Sequence, residues 1–237
     1  MSSPSSTLGR VAIVGADRLG QALAAALPAA GIAVDGPLGR GSDGAGAGIV
    51  LLCVPDAEIR AAARCIPAGP LVGHCSGATG LDALAPHEAF GLHPMMTVTE
   101  QGAEFAGAGA AIGGTTDRAL AVAAALAQAL GLRPFEIEDA DRAAHHAACS
   151  IASNFLITLE DAAESLEVAA GGRRELLVPL VRAAVENWAR EGAGALTGPI
   201  ARGDEATVAR QRAAVADRTP EFAAAFDALA DATRVLA

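Results

Sequence analysis

Short hydrophobic runs alternate with helix-spaced apolar positions along the first part of the chain, and beyond residue 138 only the helical spacing remains. Val11 to Val14 is a β-branched apolar run, which predicts a buried strand. Gly15 breaks it, and from Leu19 the apolar residues return at Leu23 and Leu27, along one face of a helix. Gly31 to Val34 predicts a second strand, while residues 35–48 carry too many glycines for a helix. Ile49 to Val54, closed by Pro55, is an uninterrupted apolar run, as a parallel sheet covered on both faces requires. Asp56 is placed to cap a helix over 57–66. Further strands are predicted at 70–74, 89–93, 110–113 and 134–137, with a helix over 117–130. Residues 139–170 hold neither proline nor glycine and predict one long helix. Helices over 175–190, 205–216 and 221–236 follow, with Leu196 to Asp204 as a non-helical turn. The pattern predicts an α/β domain with a mostly parallel sheet over 1–138 and an all-α domain over 139–237.

The first strand, turn and helix form the opening unit of a dinucleotide-binding, Rossmann-like fold. Its fingerprint is Gly-x-Gly-x-x-Gly. Here Gly15, Ala16, Asp17, Arg18, Leu19 and Gly20 supply the first and third glycines, with aspartate in the middle. The middle glycine ordinarily lets backbone approach a pyrophosphate at the positive end of the helix. A carboxylate there weakens that attraction, unless Asp17 turns outward or caps the helix through its backbone amides. If it caps, it occupies donors a phosphate would use. Residues 35–48 are also short for the usual second crossover, so the sheet reads as shortened. Arg40 and Ser42, after the second strand, suit the 2′-phosphate of NADP, whereas Asp35, read at the strand end, pulls toward NAD. A solvated loop arginine is an equal reading of Arg40.

Composition narrows the classes. The formal net charge is −10 over 237 residues, which argues against nucleic acid or an anionic membrane surface as partner. No apolar run is long enough to span a bilayer, and Met1 to Arg10 has no apolar segment resembling a secretory signal. Cys53, Cys65, Cys75 and Cys149 have no zinc-finger spacing and are expected to be reduced thiols in a cytoplasm. The chain has no Gly-x-Ser-x-Gly elbow, no Walker loop and no metal-ligand spacing, so hydrolase, phosphotransferase and metal readings have no support.

Five strings occur in order: Cys53-Val-Pro-Asp56, His74-Cys-Ser-Gly-Ala-Thr-Gly80, Gly91-Leu-His-Pro-Met95, His146-Ala-Ala-Cys-Ser-Ile-Ala-Ser-Asn154 and Leu196-Thr-Gly-Pro-Ile-Ala-Arg-Gly-Asp204. Together they resemble the reductase-like family that joins a Rossmann-like domain to the C-terminal domain of unknown function 2520. That family is similar to 6-phosphogluconate dehydrogenase, pyrroline-5-carboxylate reductase and ketopantoate reductase. The resemblance covers nearly the whole chain and implies NAD(P)-linked reduction of a small substrate.

The candidate residues lie where strands end. Val54, Pro55 and Ser76 are expected beside the cofactor, at the sheet edge where ligands bind; Pro55 and Asp56 equally suit a plain helix start. His74 reads better as a satisfied structural side chain than as a donor. His93 is expected to face substrate. His146, Ser150 and Asn154 stand at offsets of 4 and 8, within about 40–80° of one helical face. This polar stripe is either an interface network or a substrate wall, and the resemblance implies the wall, with Ser153 as the next choice. Arg202 could pair with a substrate carboxylate or with a nearby acid, and Asp204 reads as a helix cap. His146 or His93 would supply the proton, Asn154 would orient the substrate and Arg202 would hold it between the domains. The other reading, favoured by Asp17 and the short 35–48 segment, is a non-catalytic scaffold serving binding or assembly. The alanine-rich helix over 139–170 predicts a homodimer through the helical domain.

Overall fold

A computed structural model describes residues 8–44, 46–100 and 102–237 of the chain. Seven strands form one sheet in the order β2-β1-β3-β4-β5-β6-β7. They are β1 (Val11–Val14), β2 (Val34–Leu38), β3 (Ile49–Leu52), β4 (Leu71–His74), β5 (Ala89–Met95), β6 (Gly109–Gly114) and β7 (Arg133–Glu136). All neighbours are parallel except β5 and β6. The fold is thus the mostly parallel, Rossmann-like sheet followed by helices that the pattern predicts.

Alternation explains why the runs are strands. Along β1, Val11 and Ile13 enter the core on one face, and Ala12 and Val14 enter the core on the other. β3 divides in the same way, with Ile49 and Leu51 opposite Val50 and Leu52. Helices α1 (Arg18–Ala29) and α3 (Asp117–Ala129) cover the first face through Leu23, Leu27, Ala123 and Leu126. The short α2 (Ile59–Ala63) covers the second face through Ile59 and Ala63, with Leu81 and Leu84. Four-residue strands buried on both sides need both coats.

Several predicted elements move. β2 lies at Val34–Leu38 rather than Gly31–Val34. Gly36 and Pro37 read as breakers, but β2 is an edge strand, where proline forfeits no ladder bond. The helix predicted over 57–66 is a single tight turn, Asp56–Glu58, followed by α2. Asp56 does not cap it; its carboxylate is engaged by Ser76. The helix predicted over 139–170 is divided into a tight turn at Asp139–Asp141, α4 (Arg142–Ser150), a π-helical segment (Ile151–Phe155) and α5 (Leu156–Ala169).

The chain divides into two compact units, Met1–Ile151 and Ala152–Ala237, so the division falls beyond the boundary of 138 drawn from the sequence. The reason is local: α4 is tied to the sheet. Asp139 accepts the Leu81 N–H, and His145 contacts His93. The second unit holds α5, α6 (Arg174–Glu191), α7 (Glu205–Arg218) and α8 (Ala223–Leu236). Val208, Val215 and Ala230 are its buried apolar residues among those described. Among the described residues no helix is long and apolar enough to cross a membrane.

Candidate active site

Strand order reverses between β1 and β3, and the carboxyl ends of these strands form the ligand edge of such a sheet. Gly15 follows β1 with φ +113°. A Cβ there would fall 1.9 Å from the Cys53 carbonyl oxygen, and one at Gly20 would fall 2.2 Å from the Gly15 carbonyl oxygen. Both glycines are therefore demanded by the close approach of β1, β3 and α1. Gly20→Ala should push α1 off the turn, costing about 2 kcal/mol and lowering Tm by roughly 4–8 °C in a thermal melt.

Asp17 takes the capping role. Its backbone is extended, and its Oδ1 accepts the Gly20 N–H at 2.8 Å. The carboxylate thus holds a donor that a pyrophosphate would seek. Ala16, Asp17 and Arg18 are exposed, and Leu19 is half-buried against the core. Arg40 follows the end of β2 and pairs with Glu58 at 2.8 Å, both groups well exposed. Asp35 lies inside β2, opposite Ala12, and pairs with Arg10 at 2.8 Å. The longer β2 thus moves this acid away from the strand end, where the sequence reading placed it.

Beyond β3, the Val54 side chain lies against the Gly15 turn. The Ser76 hydroxyl donates to Asp56 Oδ2 at 2.7 Å and accepts the N–H groups of Ala78 and Thr79. The loop after β4 is thereby pinned to the loop after β3. His74, at the end of β4, is fully buried, and its Nδ1 accepts the Ser76 N–H at 3.2 Å. That bond fixes the proton on Nε2. Burial first, and then the charge of Arg142, pushes its pKa down from 6.5 to about 4.

Arg142 is 1% exposed. Its guanidinium occupies the room left by Gly91 and Gly113, where a Cβ would fall 2.8 and 3.0 Å from Nη2. Its Nε donates to Asp139 Oδ1 at 2.5 Å. Burial would raise the Asp139 carboxyl, but the hydrogen bonds from Arg142 and Leu81 outweigh it and hold the group low. Among the described residues, His74 Nε2 and Arg142 Nη2 are buried donors without a hydrogen-bond partner.

His93, near the end of β5, stands on Gly77, where a Cβ would fall 2.7 Å from its Cε1. Its Nδ1 lies 2.9 Å from His145 Nε2, and its ring centroid is 6.2 Å from that of His146. Burial, then the neighbouring His145 and His146, pushes His93 down to about 4. His145 is also lowered, by partial burial and then Arg142 and His146. The sheet edge and α4 thus bring together His93 and His146, both singled out by sequence. They also bring in His145 and Cys149, which sequence reasoning passed over. The four-residue spacing of His145 and Cys149 was the available signal.

Residues 109–233 match the family described as domain of unknown function DUF2520, which spans more than half the chain. The chain belongs to the DUF2520 family. No curated protein matches the sequence. Among solved structures, a candidate NADP oxidoreductase of Bacteroides fragilis superposes with a TM-score of 0.82 at 19% identity, covering 98% of this chain and 99% of that one. A reductive aminase of Aspergillus terreus, in complex with NADPH and ethyl-5-oxohexanoate, gives 0.70 at 15% identity, covering 95% and 93%. A pyrroline carboxylate reductase of Plasmodium falciparum with NADP bound gives 0.60 at 12% identity, covering 96% and 97%. At these identities the likeness is one of fold.

In the second unit of this DUF2520 chain, Asn154 is exposed and lies in the π-helical segment, a feature frequent at functional positions. Its carbonyl accepts the Thr158 hydroxyl at 3.1 Å. Arg202 is exposed in the turn between Gly198 and Gly203, both at positive φ. Asp204 caps α7, its Oδ1 accepting the Thr207 N–H at 3.1 Å.

Proposed function

We propose that this DUF2520 protein is a nicotinamide-dependent oxidoreductase that reduces a small carbonyl or imine, with 2-oxo acids first among the candidates. The observation that carries the reading is the Gly15–Gly20 turn at the strand-order reversal, on the same sheet edge as His93. The NADP and NADPH complexes among the solved structures of like fold support it.

The residues fit such a cofactor in most respects. The glycine turn matches the shape that receives a pyrophosphate, Val54, Pro55 and Ser76 border the edge where a nicotinamide would lie, and Arg40 with Ser42 suits a 2′-phosphate. At Gly20 the fit is reduced, because Asp17 already occupies the amide. Bound there, the reduced cofactor would supply a hydride. His93, with a pKa near 4, is neutral at pH 7 and serves as a hydrogen-bond donor that polarises the substrate oxygen or nitrogen. The exposed His146 delivers the proton. We assign Asn154 the orientation of substrate and Arg202 the pairing with a substrate carboxylate.

The engagement of Gly20 by Asp17 favours a second reading, a non-catalytic scaffold with lost cofactor affinity. Fluorescence titration with NADPH and NADH separates the two, followed by NADPH oxidation with a panel of 2-oxo acids and imines. Binding below millimolar, tighter for NADPH, is expected. No binding in that range would overturn the reductase reading.

The active species is a homodimer through the helical unit. On α5 and α6, Ile157, Leu180 and Trp188 are 69%, 67% and 67% exposed. Ile157 also lines a cleft of about 370 Å³ with Leu177, Val178 and Val181, rimmed by charged residues such as Glu160 and Arg182. That much apolar surface is more than an isolated helical pair leaves in water, and a second copy carries the matching face. Light scattering at micromolar concentration should give twice the chain mass, reduced to one chain by Trp188→Glu. A monomeric wild type would refute this.

A further inference from the structure

His93, His145 and Cys149 present three ligand atoms within 4.8 Å of one another. His145 and Cys149 stand one turn apart on α4, so both side chains project from the same face. His93 reaches them from β5, its Nδ1 2.9 Å from His145 Nε2, which is in turn 3.9 Å from Cys149 Sγ. We infer that His93 Nδ1, His145 Nε2 and Cys149 Sγ form a binding site for one divalent transition-metal ion, Zn²⁺ by ligand chemistry.

The distances favour it. With Zn–N of about 2.0–2.1 Å and Zn–S of about 2.3 Å, tetrahedral ligands stand about 3.3 Å (N to N) and about 3.6 Å (N to S) apart. The nitrogens need to separate slightly; the sulfur needs to approach His145 Nε2 by a few tenths of an ångström and His93 Nδ1, which lies within 4.8 Å of it, by up to about 1.2 Å, a shift within reach of a Cys149 rotamer change. Two imidazoles and a thiolate are a borderline-soft set, suited to zinc or cobalt rather than to magnesium or calcium. Three protein ligands leave a fourth position for water or another oxygen ligand.

The surroundings agree with a metal more readily than with charged imidazoles. Burial and then the neighbouring His145 and His146 lower His93, and partial burial and then Arg142 and His146 lower His145, so both favour the neutral ring with a lone pair available. In the metal-free pair, one ring donates to the other; for both facing nitrogens to hold an ion, the donor ring's proton passes to its own other nitrogen, and both rings stay neutral. Partial burial raises the Cys149 thiol, so binding must expel its proton and will strengthen as pH rises. Arg142, the cation near this cluster, is already paired with Asp139. All three ligands are only partly buried, which leaves a path for entry. His146, with its ring 6.2 Å from that of His93, lies outside the ligand set.

Cobalt makes the site visible. Co²⁺ titrated into the reduced, metal-stripped full-length protein should produce a near-ultraviolet thiolate-to-cobalt charge-transfer band that saturates at one equivalent. Excess Zn²⁺ should bleach it. Cys149→Ser should abolish the band, while Cys65→Ser, at an exposed thiol just after α2 and outside the ligand set, should retain it. His145→Gln should weaken Co²⁺ binding at least tenfold, since changing even an outer partner of a ligand commonly costs about that much. Zn²⁺ should also raise the Tm of wild type and not of either site variant. Metal-free melts of the variants check that they fold, and either one alone suffices for the comparison. Absence of the band at millimolar Co²⁺, or a band that survives Cys149→Ser, would overturn the assignment. NADPH binding is read separately and does not bear on it.

Discussion

Asp17→Gly should tighten NADPH binding by about tenfold to a hundredfold if the proposed cofactor site is the Gly15–Gly20 turn. A carboxylate ~5 Å from a phosphate charge at an effective dielectric near 20 costs roughly 3 kcal/mol, about a hundredfold in affinity. Asp17 is exposed, and solvent screening reduces that figure. Removing the carboxylate also frees the Gly20 amide, which Asp17 holds at 2.8 Å. The substitution is clean because glycine is a tolerated N-cap and costs only a few tenths of a kcal/mol relative to aspartate. Asp17→Asn keeps a capping oxygen but loses the charge, and should fall between the two. Fluorescence titration at two salt concentrations checks the argument, since the wild-type deficit should shrink as salt rises. Equal NADPH affinity in Asp17→Gly and wild type would show that the cap and the phosphate do not compete.

This turn also marks how far the sequence reaches. Gly15 and Gly20 were legible because their demand is local: a strand and a helix can approach this closely only where no Cβ intervenes. The capping by Asp17 was likewise foreseeable from its place before the first helical residues. β2 was misplaced because Gly36-Pro37 looks like punctuation until one knows that the strand lies at the edge of the sheet. Asp56 had the spacing of a cap, but its carboxylate is held by Ser76, twenty residues onward.

The pairing that defines the His93 cluster is longer still. His93 and His145 are 52 residues apart and meet only because β5 and α4 pack together. No spacing rule brings them together, so the ligand set is invisible along the chain and exists only in the folded protein. Arg142 was invisible for another reason. A charged residue opening a helix reads as solvated, whereas here Gly91 and Gly113 leave a slot in the sheet that its guanidinium fills. The same slot anchors α4 to the first unit and carries that unit past residue 138. Asn154 and Arg202 rest on the resemblance and on local geometry alone.

Acid should destabilise the first unit through His74, and the direction follows from its burial. In the unfolded chain an imidazole titrates near 6.5. In the folded protein burial, and then Arg142, depresses His74 to about 4. Between these values the unfolded state binds a proton that the folded state refuses, so stability falls as pH drops. The loss begins near 6.5 and is complete near 4, where the folded ring also titrates; above 6.5 both states are neutral and nothing changes. At about 1.4 kcal/mol per unit, the passage amounts to about 3 kcal/mol, or roughly 6–12 °C in Tm for a chain of this size. His93 adds in the same direction over the same window. Carboxylates contribute their own acid sensitivity, so the decisive quantity is a difference of slopes. His74→Gln should melt with a shallower dependence on pH between 6.5 and 4, whatever its Tm at pH 7. Arg142→Met removes the like charge beside the ring and should raise the His74 pKa, read by NMR titration of the imidazole. Parallel pH profiles for wild type and His74→Gln would mean that the buried ring takes its proton without opposition, and that the apolar, cation-flanked pocket does not govern it.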